Sequence, residues 1–155
     1  MQAKDIMSSP VMTIHPDAIV EEAAKLMLQH GVSCLVVTDA SNHIAGILTH
    51  SDFGLHRKLV PLADNLYQLL GSWAVPNMLE EIAQRVRTRQ VKDVMTGDVE
   101  VVSEDASVAE VAAKMLRRRV NRLPVVRGRE LVGIITRHDL LKVMVDQGPS
   151  SAPRT

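Results

Sequence analysis

Apolar positions along this 155-residue chain switch between two periods, and they do so twice. Val20, Ala23, Ala24 and Met27 fall at i, i+3, i+4 and i+7, the stripe of an amphipathic helix, predicted over residues 18–30. Val108, Val111, Ala112 and Met115 repeat that stripe and predict a helix over 108–118. Brief strands precede each helix at residues 11–14 and 99–102. Two strands follow each, at 33–38 and 44–49, then at 123–126 and 131–136. Their near-continuous Val, Ile and Leu content suggests burial on both faces. A last helix follows Asp52 and Asp139. Each half therefore reads β-α-β-β-α.

The halves are copies. Lys4-Asp5-Ile6-Met7-Ser8 returns 88 residues later as Lys92-Asp93-Val94-Met95-Thr96, each read as a short turn. Asp17-Ala18 meets Asp105-Ala106, and Met27-Leu28 meets Met115-Leu116. A loop one residue shorter brings Gly46 onto Gly133. Two copies are too few for a solenoid. The boundaries expected are 1–60 for the first domain, 61–91 for a helical connector, 92–146 for the second domain and 147–155 for a flexible tail.

Local signals refine the ends. Ser107-x-x-Glu110 is a capping box. Ile19 stands at the matching position of the first copy, so Asp17 is the expected cap there. Gly31 suits a left-handed residue ending the first helix. In the connector, Leu66, Leu69 and Leu70 suggest a short helix around Tyr67. Asn77-x-x-Glu80 suggests a cap for another helix reaching Arg87.

Composition narrows the classes. Hydrophobic residues make up 46% and charged residues 23%, ordinary for a globular protein. Aromatics at 2% and a net charge of zero argue against nucleic acid and anionic membranes as partners. One cysteine, Cys34, excludes an internal disulfide and fits a reducing compartment. With no signal-like start and no uncharged run of spanning length, the cytoplasm is the expected location.

The chemistry sits where each apolar run gives way to a helix: Gly46-Ile-Leu-Thr49-His50-Ser-Asp52 and Gly133-Ile-Ile-Thr136-Arg137-His138-Asp139. Free backbone N–H groups at a helix start attract anions. A hydroxyl and a carboxylate beside them suit a phosphate and a sugar diol.

A doubled β-α-β-β-α unit with φ-x-Asp-φ-Met-Ser/Thr at each start, φ being apolar, and Gly-φ-φ-Thr-x-x-Asp at each end resembles the cystathionine-β-synthase-type (CBS) domain. Two in one chain resemble the CBS pair, or Bateman module. The resemblance implies an α+β fold, two β-α-β-β-α domains around a pseudo-two-fold axis, with clefts at their interface. It implies adenosine ligands there: AMP, ADP, ATP, S-adenosylmethionine or NAD-type dinucleotides, acting as regulators and not as required cofactors. Carried over, Thr49 and Thr136 approach phosphate, and Asp52 and Asp139 take the ribose hydroxyls. Residues around Thr13-Ile14 with Ser33-Cys34, and Val101-Val102 with Arg122-Leu123, wall the adenine. It also implies a homodimer that regulates a protein target in trans, with no catalysis of its own.

Near the second motif stand Arg117, Arg118, Arg119, Arg122 and Arg137. The first copy offers Gln29, His30, Gly31, Cys34 and His50 at the corresponding positions. The second motif is thus expected to favour the more phosphate-rich ligand, with His50 and His138 in reach of phosphate. Plain readings stand beside these. Thr-x-x-Asp is also a capping signature. The arginines ending the helix also complement its dipole. The six histidines match no compact metal-ligand spacing. Cys34 and the methionines read as packing. No nucleophile–base set or Gly-rich phosphate loop presents itself. The alternative to a ligand sensor is a ligand-free dimerisation or scaffold module.

Overall fold

The computed structural model describes residues 1–53, 84, 85 and 87–146. The expected helix around Tyr67 and the Asn77 cap lie outside the described residues. The chain forms two compact units. One is Met12–Val99; the other joins Met1–Val11 to Glu100 and the residues after it.

In the first unit, β1 (Thr13–Ile14), α2 (Val20–His30), β2 (Cys34–Thr38), β3 (Ile44–Thr49) and α3 (His50–Phe53) follow in order, and α4 (Val91–Val94) completes it. The sheet order is β1-β2-β3, with β1 parallel and β3 antiparallel to β2. The second unit begins with α1 (Ala3–Ile6). Then come β4 (Val102–Ser103), α5 (Val108–Arg118), β5 (Arg122–Arg127), β6 (Glu130–Thr136) and α6 (Arg137–Asp146). Its sheet repeats the order as β4-β5-β6.

The Lys-Asp-φ-Met segments, read as turns, are single helical turns, α1 and α4. Each closes with the Met amide donating four residues back, Met7 to Ala3 and Met95 to Val91, at 3.0 and 2.9 Å. Each inserts one small apolar side chain into a core. Ala3 is fully buried with Val102, Val111, Met115, Leu123, Val125 and Ile135. Val91 is fully buried with Ile14, Ala23, Met27, Leu35, Val37 and Leu48. Burying a Leu or Ile side chain of such a core contributes about 1.5–3 kcal/mol.

The sheet departs from the uniform burial expected. The central strand β2 is buried along most of its length, and β5 through Leu123, Pro124 and Val125. The motif strands β3 and β6 alternate instead, with buried Leu48 and Ile135 next to half-exposed neighbours. A strand at the sheet's margin packs one face on the core and leaves the other partly open. Their outer edges are capped at one point each. Ser8 and Ile134 exchange backbone hydrogen bonds of 2.9 and 3.1 Å, and Thr96 and Ile47 exchange two of 3.0 Å.

The two capping expectations divide. Ser107 accepts from the Glu110 amide at 3.2 Å, and Glu110 accepts from the Ser107 amide at 2.7 Å, a complete box. Asp17 does not cap α2. Ile19 is the N-cap and makes no side-chain bond, while the Arg89 carbonyl takes the Val20 amide at 2.8 Å. A returning backbone supplies what a side chain was expected to, and Asp17 pairs with Lys92 at 3.0 Å. Gly31 ends α2 in the left-handed region, φ 61°, as its sequence position suggests. Arg119 does the same for α5 at φ 54°, where a side chain is strained.

Candidate functional site

Each Thr-x-x-Asp is built the same way. Thr49 ends β3 and Asp52 lies one turn into α3; Thr136 ends β6 and Asp139 lies one turn into α6. Asp52 Oδ2 accepts the Thr49 amide at 2.7 Å and its hydroxyl at 3.2 Å. Asp139 Oδ2 accepts the Thr136 amide at 2.8 Å and its hydroxyl at 2.9 Å. The capping reading therefore describes the structure. It also leaves chemistry to spare, because both bonds fall on one oxygen and Oδ1 takes no part in the box. Asp52 is buried, 8% exposed, although its partner Thr49 is only half-buried.

This geometry sets what a ligand would exchange. A vicinal diol donates to a carboxylate, and Oδ1 is the atom outside the box. A phosphate needs a donor, and the threonine hydroxyl proton now points at Oδ2. Binding phosphate there would turn that hydroxyl from Asp to the ligand, and Oδ2, still accepting the threonine amide, would have one acceptor position open to the sugar.

The first residue of each motif helix is tied back to the sheet. His50 donates its amide to the Ser33 carbonyl at 3.3 Å, and Arg137 donates to the Asn121 carbonyl at 3.0 Å. The side chains of His50, Arg137 and His138 are exposed at the helix start. Arg122 is the register partner of Thr136, and Cys34 that of Thr49. Opposed residues of an antiparallel pair share a face. Arg122 and Arg137 thus flank the second motif.

Arg118 pairs with Glu100 at 3.1 Å and Arg119 is the C-cap of α5. Ile14 and Val102 are buried, 7% and 6% exposed, within the cores of their own units. Thr13 and Val101 beside them are half-buried.

Sequence reasoning missed two participants, Met7 and Met95. A Cβ on Gly133 would overlap Met7 Sδ, and one on Gly46 would overlap Met95 Sδ and come within 2.8 Å of the Thr96 carbonyl oxygen. Both glycines are needed for close approach, three residues before the motif threonines. The repeated Asp-φ-Met signal was visible, but not which strand each methionine meets.

Comparison with known proteins agrees with the fold. The CBS domain family model matches residues 3–53 and 91–146. The chain belongs to the CBS domain family, as a tandem pair. It is 32% identical over 142 residues to inosine-5'-monophosphate dehydrogenase of Methanocaldococcus jannaschii, covering 91% of this chain and 23% of that protein. It is 30% identical to L-aspartate semialdehyde sulfurtransferase of the same organism, covering 90% of this chain and 22% of that one. The chain thus spans about a quarter of the length of these two relatives.

Among solved structures, the CBS domain of a CBS domain containing membrane protein from Sphaerobacter thermophilus superimposes with a TM-score of 0.72 at 34% identity, covering 92% of this chain and 86% of that one. The CBS domain pair of protein MJ0100 in complex with 5-methylthioadenosine and S-adenosyl-L-methionine gives 0.69 at 27% identity, covering 96% and 98%. Among the described residues no helix is long and apolar enough to cross a membrane.

Proposed function

We propose that this chain is a regulatory module that binds an adenosine-containing small molecule at its Thr-x-x-Asp motifs and passes occupancy on to a protein partner. The observation that carries the reading is the same Thr–Asp box built twice, each with one carboxylate oxygen outside it. The similarity to the MJ0100 pair, whose structure holds two adenosine compounds, supports that class of ligand. Ligand favours one arrangement of the module over another, and the partner reads the difference.

A homodimer belongs to the same proposal. Leu141, Met144 and Val145 stand 57%, 72% and 78% exposed at i, i+3 and i+4 on α6, an apolar face that favours a second copy. That face also supports the alternative reading, a ligand-free dimerisation module. Native mass spectrometry of the protein as purified separates the two. The sensor reading expects a co-purified or added AMP, ATP or S-adenosylmethionine on the dimer. A dimer that takes up none of them supports the scaffold.

A further inference from the structure

Outside the motif segments, α5 carries Lys114, Arg117 and Arg118 around a depression of about 470 Å³. One carboxylate answers them. Glu100 pairs with Lys114 at 3.2 Å through Oε2 and with Arg118 at 3.1 Å through Oε1. Lys114 also donates to the Val101 carbonyl at 2.6 Å, which fixes its ammonium at the depression and leaves one of its three donors. Arg118 approaches Glu100 through Nε. Arg117 makes no ion pair among the described residues. Three cations against one anion leave an excess of positive charge in a chain whose net charge is zero.

The helix dipole accounts for basic residues in a last turn, but not for a hollow between them. The volume suits a small molecule, and the charged donors among its described lining residues suit an anion of high charge density. Guanidinium groups match phosphate oxygens bidentately. The equivalent positions of α2 are Leu26, Gln29 and His30, so duplication alone did not impose the cluster.

We propose that this depression is a second anion site, separate from the Thr-x-x-Asp motifs, that takes the oligophosphate group of a soluble small molecule. Glu100 is its internal competitor. Phosphate displaces the carboxylate from Arg118 and takes the remaining Lys114 donor.

The test is calorimetric titration of the full chain with inorganic tripolyphosphate, which carries no base or ribose. Arg117→Ala/Arg118→Ala is expected to weaken binding about tenfold or more, the scale of losing charged hydrogen bonds. Arg117→Lys/Arg118→Lys, which keeps the charge, retains part of it. Glu100→Gln is expected to tighten it, an effect that a merely structural role for Glu100 does not give. Asp52→Ala/Asp139→Ala leaves it unchanged, so failure of the motif reading does not touch this one. No binding by the unaltered protein, full affinity in Arg117→Ala/Arg118→Ala, or loss in the motif variant overturns the proposal. So does sedimentation with phosphoinositide-doped phosphatidylcholine vesicles that tripolyphosphate fails to displace, which assigns the patch to a lipid headgroup.

Discussion

Arg122 and Thr136 stand directly opposite one another in the register of β5 and β6, whereas Thr49 faces Cys34 across β2 and β3. One motif therefore has a guanidinium on its own face of the sheet and the other a thiol. Each phosphate added to a ligand raises the value of that cation. Arg122→Ala is expected to lower ATP affinity about tenfold or more while changing adenosine binding little. Calorimetry with ATP and adenosine on the same variant reads the difference. Equal losses for both ligands would place Arg122 in packing and not at phosphate.

The close approaches at Gly46 and Gly133 predict unequal damage. The three atoms nearest a Gly133→Ala methyl all belong to the Met7 side chain, whose Sδ and Cγ can turn aside. Gly46→Ala also meets the Thr96 backbone oxygen, which cannot. Overpacking of this kind costs about 1–3 kcal/mol, and Gly46→Ala is expected at the upper end. Met7→Ala should recover part of the Gly133→Ala loss, a non-additivity that urea denaturation of the double mutant measures.

Helix ends give a pair of opposite sign. Arg119 holds φ 54° where Gly31 holds φ 61°. Arg119→Gly is expected to leave stability unchanged or raise it, by up to about 1 kcal/mol, and Gly31→Ala to lower it by about the same amount. Thermal melts of the two variants test this. A destabilised Arg119→Gly would show that the arginine side chain contributes more than its backbone strain costs.

Acid should weaken the fold at several exposed points together. Lys92 beside Asp17, the His43 amide on Asp39, Arg127 beside Glu104 and the Ser107 amide on Glu110 all hold these carboxyls below their ordinary values. Each contribution is complete above the unfolded value near pH 4 and is lost as pH falls through the lower folded value. The melting temperature should therefore fall on acidification below about pH 4. Glu110→Gln should show a shallower fall, and salt should reduce the share from the Lys92 and Arg127 pairs. An acid limb unchanged in Glu110→Gln would remove that group from the account.

Much of this was legible from periodicity. The Val108, Val111, Met115 stripe and the Ser107 box gave α5 its boundaries, and the motif threonines fell at strand ends as read. What local pattern does not carry is long-range pairing. Asp17 looked like a cap, but Arg89, far along the chain, supplies the partner for Val20. Met7 opens the first repeat yet packs against Gly133 in the second. Arg118 was read beside the motif, and its ion pair with Glu100, 18 residues earlier, was not visible from spacing. In each case the deciding neighbour is remote in sequence, and type and spacing say nothing about it.

The central claim is that the two Thr–Asp boxes are adenosine sites, and one titration tests it most directly. The unaltered protein, Thr49→Ala/Asp52→Ala and Thr136→Ala/Asp139→Ala are titrated with ATP, AMP and S-adenosylmethionine by calorimetry, with circular dichroism confirming that each variant is folded. The account predicts binding of at least one of these by the unaltered chain, and an ATP loss of about tenfold or more that is larger in the Thr136/Asp139 variant. A folded protein that gives no heat with any of the three, or variants that bind as tightly as the unaltered chain, would contradict it.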